Sequence, residues 1–267
     1  MSDSGTILEL RNISKVFSLK SSFLKSHEFK ALDGVNLKLG KGEIMGLVGG
    51  SGSGKTTIAR ILTMLYSPTS GNIIFEGNDV TNISGKKLRK YRQKVQMIFQ
   101  DPYSSLDPSH SVYWHVERPL KLISYEGNIE ERIMQLLSVV KLDPPEQFYD
   151  RLPYQLSGGQ RQRVYMARAL AMEPSLLIAD EPVSNLDASV KASILGTLKE
   201  IREKFNLSIL YISHDIATVW YICDKVAVIN KGRIVEEGLS NDVVENPHDE
   251  YTKLLINSAP DPFKRLE

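Results

Sequence analysis

An α/β fold, a sheet wrapped by helices, is what the sequence predicts, and three observations predict it. Short apolar runs alternate with segments of helical spacing. A glycine-rich stretch joins one such run to one such segment, and a second run ends on two adjacent acids. The runs at 44–48, 95–99, 176–179, 209–212 and 226–229 each read as a buried strand. Ile58, Ile61, Leu62 and Leu65 fall at i, i+3, i+4 and i+7, as do Ile216, Val219, Trp220 and Cys223, so each set marks one face of a helix.

Two regions break the alternation. Residues from about 6 to 40 and from 71 to 80 read as short strands separated by glycine turns at Gly34, Gly40, Gly42, Gly71 and Gly77, an antiparallel sheet. Residues from about 101 to 156 are punctuated by proline and mainly helical, with 129–140 the clearest helix, and look like an insertion between two strands of the main sheet. From Glu236 onward the chain carries turn formers and a short helix around 251–257.

Composition sets the class. The 267 residues hold 33 Lys plus Arg against 32 Asp plus Glu, a formal charge of +1, so the surface as a whole is not a polyanion-binding field. With 42% apolar residues the chain builds an ordinary globular core. No apolar stretch approaches the ~20 residues of a spanning helix. The first eight residues contain Asp3 and no apolar signal core, so a reduced, cytosolic protein is expected. A single cysteine, Cys223, excludes an internal disulfide or a cysteine-built metal centre.

The stretch Gly49-Gly50-Ser51-Gly52-Ser53-Gly54-Lys55-Thr56 matches G-x-x-x-x-G-K-[ST] between a strand and an amphipathic helix. Its glycines let backbone N–H groups curl around a β-phosphate, and the helix start adds its positive dipole end. Lys55 is expected to neutralise β/γ oxygens and the Thr56 hydroxyl to ligate Mg²⁺. The strand at 176–179 followed by Asp180-Glu181 has the form of a Walker B motif. Asp180 would hold the metal, and Glu181 would orient and deprotonate an attacking water. Leu156-Ser157-Gly158-Gly159-Gln160 places a good N-cap at Ser157, with capping-box spacing to Gln160. Two glycines beside that serine make a second anion site of bare N–H groups.

This last stretch, continued by Arg161-Gln162-Arg163, resembles the signature motif of ATP-binding cassette (ABC) proteins. The resemblance implies a P-loop ATPase core with an antiparallel β subdomain over 6–100 and 171–235, an inserted helical subdomain over 101–170, and a short tail over 236–267. It implies ATP and Mg²⁺ as cofactors. Gly49, Ser51, Gly52, Ser53, Gly54, Lys55, Thr56 and Thr57 then hold the nucleotide, while Ser157, Gly158, Gly159 and Gln160 close over ATP held by another subunit. Gln100 matches the Q-loop glutamine that senses metal and water. His214 matches the switch histidine at the γ-phosphate. Asp187 ends a D-loop, Ser184-Asn185-Leu186-Asp187, in which the family more often has Ala at position 185. Phe17 sits where the family stacks an aromatic on adenine, although an aromatic in a short strand serves equally as core.

Three further stretches are similar to the dipeptide, oligopeptide and nickel importers. They are the long basic segment between Phe17 and Ala31, the run from Met97 to Pro108, and the tail from Glu245 to Pro260, where Asp249-Glu250 replaces the commoner His-Pro. That likeness implies a subunit on the cytoplasmic face of the membrane. Its partners would be a second cassette, the same or a related chain, two permeases docking on 101–122, and an extracytoplasmic solute-binding protein. A cassette of a phosphonate-cleaving lyase complex is the alternative, and a soluble nucleic-acid-processing cassette is the remoter one. Lys86, Lys87, Arg89, Lys90, Arg92 and Lys94 read as a solvated helix face, with a nucleic-acid or lipid-facing patch as the other reading. His110 and His115 have no carboxylate at ligand spacing.

Overall fold

The computed structural model describes residues 5–22, 25–99, 106–184 and 186–258, with the backbone alone for 19–22 and 25–27. In chain order, β1 (Thr6–Ser22) and β2 (Lys25–Gly40) precede β3 (Ile44–Val48), α1 (Lys55–Leu62), β4 (Ser70–Phe75) and β5 (Asn78–Asp79). Next come α2 (Gly85–Lys94), β6 (Val95–Ile98), α3 (Val112–Leu122), α4 (Ile129–Val139), α5 (Glu146–Tyr149), a 3-10 turn (Pro153–Gln155) and α6 (Gly158–Leu170). The rest is β7 (Leu176–Asp180), α7 (Ala188–Phe205), β8 (Ser208–Ser213), α8 (Ile216–Ile222), β9 (Lys225–Asn230), β10 (Arg233–Leu239), α9 (Ser240–Glu245) and α10 (Glu250–Ser258). Among the described residues no helix is long and apolar enough to cross a membrane. The chain divides into two compact units, Met1–Gly85 with Leu210–Glu267, and Lys86–Ile209.

In the first unit β2-β1-β4-β5 form an antiparallel sheet, and β10, β9 and β3 stand side by side with β8 next to β3. β3 and β9 pair in parallel from Met45↔Lys225 to Val48↔Val228. All five residues of β3 are buried, as a strand covered on both faces requires. Over 6–40 the expected short strands are instead two long ones, 17 and 16 residues, while β4 and β5 are short as expected. Gly34 does not end β2. It sits at a bulge with φ 65, where its N–H donates to Ser14 Oγ at 3.0 Å, and Asn12 opposite has φ 52. Register shifts on either side of Ile13 absorb the extra residues, so the glycine bends the strand rather than breaking it.

α1 also stops earlier than its apolar spacing implies. Met64 takes φ 56, the Leu65 N–H donates to Arg60 O at 2.9 Å and the Met64 N–H to Ile61 O at 3.0 Å. This is a Schellman end, and it leaves Leu65 outside the helix and exposed. The tail differs as well: β10 runs on to Leu239 before α9 and α10 form.

The second unit contains β7 and β6, paired in parallel from Val95↔Leu176 to Ile98↔Ala179, with the start of β8 beside β7. Its helical core centres on α6, whose Val164 and Ala167 are fully buried, as are Val116 and Leu120 of α3 and Ile133, Leu136 and Leu137 of α4. Buried Arg163 donates to Ser193 Oγ at 2.8 Å and Thr197 Oγ1 at 3.2 Å, which ties α6 to α7.

β3 is held against α8 by the absence of a side chain at Gly46. A Cβ built there lies 2.4 Å from Val219 Cγ1 and 3.0 Å from Cys223 Sγ. Gly46→Ala is therefore expected to destabilise the chain by about 1–3 kcal/mol through overpacking. Val219→Ala in the same chain should recover part of that loss, as read from urea unfolding midpoints.

Candidate active site

The first unit builds the phosphate cradle. β3 delivers the chain at Val48, six residues turn, and α1 opens at Lys55. Gly52 and Gly54 have φ 74 and 113, a region that side chains resist. A Cβ on Gly49 would lie 2.2 Å from Ile229 O, and one on Gly54 2.7 Å from Leu32 Cδ2, so the loop is pressed onto β9 and β2. Gly52, by contrast, meets nothing within 4 Å and leaves its side of the loop open to a ligand. The first helical bond, Ile58 N–H to Gly54 O at 3.0 Å, leaves the Thr56 and Thr57 amides ahead of the ladder. No acid stands in the first turn of α1, so the positive end of its dipole is available to an anion.

Lys55 is buried, and its Nζ donates to Gly49 O at 2.7 Å and Gly50 O at 2.9 Å. Burying an ammonium is costly, and here the two loop carbonyls offset part of that cost. Thr56 is exposed and Thr57 half-buried, so both hydroxyls are within reach of a ligand in that turn.

The other expected site residues of this unit take distinct settings. Phe17 is half-buried and packs edge-on against Tyr66 at 5.4 Å, with Lys15 Nζ 5.1 Å from its ring centre. It is therefore not part of the fully buried core. His214 is exposed at the end of β8. The turn around it is fixed, since Asp215 N–H donates to Ser213 Oγ at 3.0 Å and Asp215 caps α8 through Ala217 N–H.

One contact to the cradle was not anticipated. The Gly50 N–H donates to Tyr251 Oη at 2.7 Å, so the tail helix α10 reaches the loop. The Asp249-Glu250 departure has a local use here, because Asp249 Oδ1 accepts the Tyr251 N–H at 2.8 Å and caps α10.

The second unit carries the acids and the signature. β7 is buried along its length and ends at Asp180, itself buried. Glu181 follows with φ 48, a left-handed conformation that a glutamate adopts only where the surroundings enforce it. Its carbonyl accepts from the Ser184 N–H at 3.3 Å and Ser184 Oγ at 3.2 Å. Gln100 and Asn185 lie outside the described residues.

Ser157 caps α6 as its spacing implies: Ser157 Oγ accepts from Gln160 N–H at 3.2 Å, and Gln160 Oε1 accepts from Ser157 N–H at 2.9 Å. Gly158 opens the helix, and Gly159 lets it approach α7, since a Cβ there would lie 2.6 Å from Val190 Cγ1. Asp187 is an N-cap too. Its Oδ1 accepts from Val190 N–H at 3.0 Å and Ser189 Oγ at 2.7 Å, and the Ser189 hydrogen bond, foremost, holds its carboxyl below the usual range.

Outside these clusters, α2 exposes Lys86, Lys87, Arg89, Lys90 and Arg92 and buries Tyr91, as a solvated face does. His110 stacks on Trp114 with centres 3.8 Å apart, and buried His115 pairs through Nε2 with Asp107 O at 3.1 Å. Among the described residues no group of three or more His, Cys, Asp or Glu is placed to hold a metal alone.

A family model described as ABC transporter matches residues 32–184. The chain is 43% identical over 265 residues to the oligopeptide transport ATP-binding protein AppF of Bacillus subtilis (strain 168), covering 97% of this chain and 80% of that protein. It is 41% identical to the oligopeptide transport ATP-binding protein OppF of Lactococcus lactis subsp. lactis (strain IL1403), covering 98% of this chain and 83% of that one. Among solved structures it resembles the dimeric post-hydrolysis state of the ATP-binding cassette MJ0796 bound to ADP and Pi (TM-score 0.76, 30% identity, 88% of this chain and 99% of that chain). It also resembles cbiO1 from Clostridium perfringens, part of the ABC transporter complex cbiONQ (TM-score 0.78, 28% identity, 91% and 92%).

The cap at Ser157 can be tested apart from catalysis. Ser157→Ala should lower the unfolding free energy by about 1 kcal/mol, whereas Ser157→Thr, which keeps the acceptor, should lose less. Urea titration of the three proteins reads the difference.

Proposed function

Because the chain belongs to the ABC transporter family, we propose that it is the ATP-hydrolysing subunit of an importer that takes up oligopeptides or dipeptides. The carrying observation is the glycine loop whose carbonyls hold the buried Lys55 ammonium at the start of an α1 with no acid in its first turn. The relatives named for oligopeptide transport support the solute class, since their likeness runs nearly the full length of the chain.

Each residue has a task in this reading. Amides of Gly49, Ser51, Gly52, Ser53, Gly54 and Thr57 and the Lys55 ammonium bind the β- and γ-phosphates, and Phe17 stacks on adenine. The donor set, oxygens with a single carboxylate, suits Mg²⁺, which completes its shell from phosphates and water rather than from a protein cage. The Thr56 hydroxyl, the Asp180 carboxylate and Gln100 would hold it, and when bound it neutralises phosphate charge. Glu181 accepts the proton of a water as its oxygen attacks the γ-phosphorus. The bond to the bridging oxygen breaks, and ADP and inorganic phosphate leave. His214 contacts the γ-phosphate. Ser157, Gly158, Gly159, Gln160 and Asp187 serve ATP bound to a second cassette, so nucleotide draws two cassettes together and hydrolysis releases them.

The partners follow: a second cassette of the same or a related chain, two membrane permeases docking on 101–122 of the helical segment 101–170, and a solute-binding protein on the far side of the membrane. The chain would then work at the cytoplasmic face, held there through its permeases.

Glu181→Gln should bind ATP with near-wild-type affinity, hydrolyse it at least about a hundredfold more slowly, and accumulate as an ATP-bound dimer in size-exclusion chromatography. Hydrolysis at the wild-type rate would remove Glu181 from the role of base.

A further inference from the structure

The peptide unit joining Gly49 to Gly50 is gripped from both sides. Its carbonyl, that of Gly49, accepts from Lys55 Nζ at 2.7 Å, and its N–H, that of Gly50, donates to Tyr251 Oη at 2.7 Å. The fit around it is close, since a Cβ on Gly50 would stand 3.0 Å from the phenol oxygen. Tyr251 thus occupies the outer side of the same peptide whose carbonyl steers the catalytic ammonium.

The tail is built to hold that phenol in place. α10 is docked by Glu236 of β10, which accepts the His248 N–H at 2.8 Å and the Asp249 N–H at 3.1 Å through separate carboxylate oxygens. Burial works to raise the Glu236 carboxyl, but the hydrogen bonds it accepts outweigh burial and hold it below the ordinary range. It is therefore ionised at neutral pH and a strong acceptor for both amides. Thr252, next to Tyr251, is fully buried, which fixes the rotation of the helix about its axis. From Glu236 through Asp249 to Tyr251, the tail forms one connected brace that ends on the loop.

We propose that Tyr251 is a positioning residue for nucleotide binding, bracing the outer turn of the glycine loop so that the Gly49 carbonyl keeps Lys55 aimed at phosphate. This rests on the assignment of the loop as the ATP site and adds the tail helix to that site. Loss of the phenol hydroxyl frees the N–H side of the Gly49–Gly50 peptide, and the cost falls on ATP affinity. The chemical step, which takes place on the γ-phosphate, is little altered.

The test uses the full chain and Tyr251→Phe, which removes one oxygen and keeps the ring. With Mg²⁺ and a fluorescent ATP analogue, the variant should bind about fivefold more weakly, the size expected for one lost hydrogen bond. Its KM for ATP should rise by a similar factor while kcat at saturating ATP stays within about twofold. Equal affinity in the two proteins overturns the proposal. So does a kcat that falls with KM unchanged. Amide hydrogen exchange at Gly50 in nucleotide-free protein gives a second readout. Exchange should be faster in Tyr251→Phe, and equal exchange overturns the brace whatever the nucleotide results. Were the wild-type chain to bind no ATP analogue while Gly50 exchange still rose in the variant, the ATP-site assignment would fail and the bracing role in catalysis with it, leaving only a structural contact.

Discussion

The buried ammonium of Lys55, held by the carbonyls of Gly49 and Gly50, is the constraint on which the rest of the first unit depends. An ammonium leaves water only where oxygens receive it, and here the oxygens come from the loop that is to bind the anion. That geometry demands a chain that turns back within six residues and lies against β9. Only residues without a side chain meet both demands: Gly54 at φ 113, and Gly49 with a β9 carbonyl where its Cβ would be. Around this turn, β3 supplies a rigid approach because it is buried on both faces, and α1 supplies the dipole.

A second glycine-bearing helix start, at Ser157, is ordered by different means. There the cap is a side chain, the reciprocal bonds to Gln160 fix the first turn, and Gly159 permits the close packing on Val190. The two starts belong to different compact units of one chain. In the proposed function each serves a different nucleotide, so a single chain carries both halves of an incomplete ATPase and needs a second cassette to work.

Much of this was legible in the residues. The five apolar runs became β3, β6, β7, β8 and β9, because a short run of branched aliphatics between breakers has few other ways to be buried. The cap at Ser157 was legible because a serine three residues before a glutamine states both of its hydrogen bonds. What was not legible depended on distant contacts. Gly34 looked like a turn, but pairing across to Ser14 keeps it inside a long strand. Leu65 fitted the helical period, but Met64 accepted a left-handed conformation and ended α1 before it. Tyr251 stood in a recognisable tail motif, yet nothing local ties a residue two hundred positions away to the phosphate loop. Glu181 was legible as an acid after a strand, while its backbone conformation was not.

Titration calorimetry of Mg-ATP into the wild-type chain and Lys55→Met tests the role of the buried ammonium most directly. The wild type should bind, and Lys55→Met should bind at least about tenfold more weakly, consistent with loss of a charge-assisted contact to phosphate. Its thermal midpoint should fall, because the Gly49 and Gly50 carbonyls lose their buried donor, and affinities are compared well below that midpoint. Equal affinity in a folded Lys55→Met protein would contradict the account.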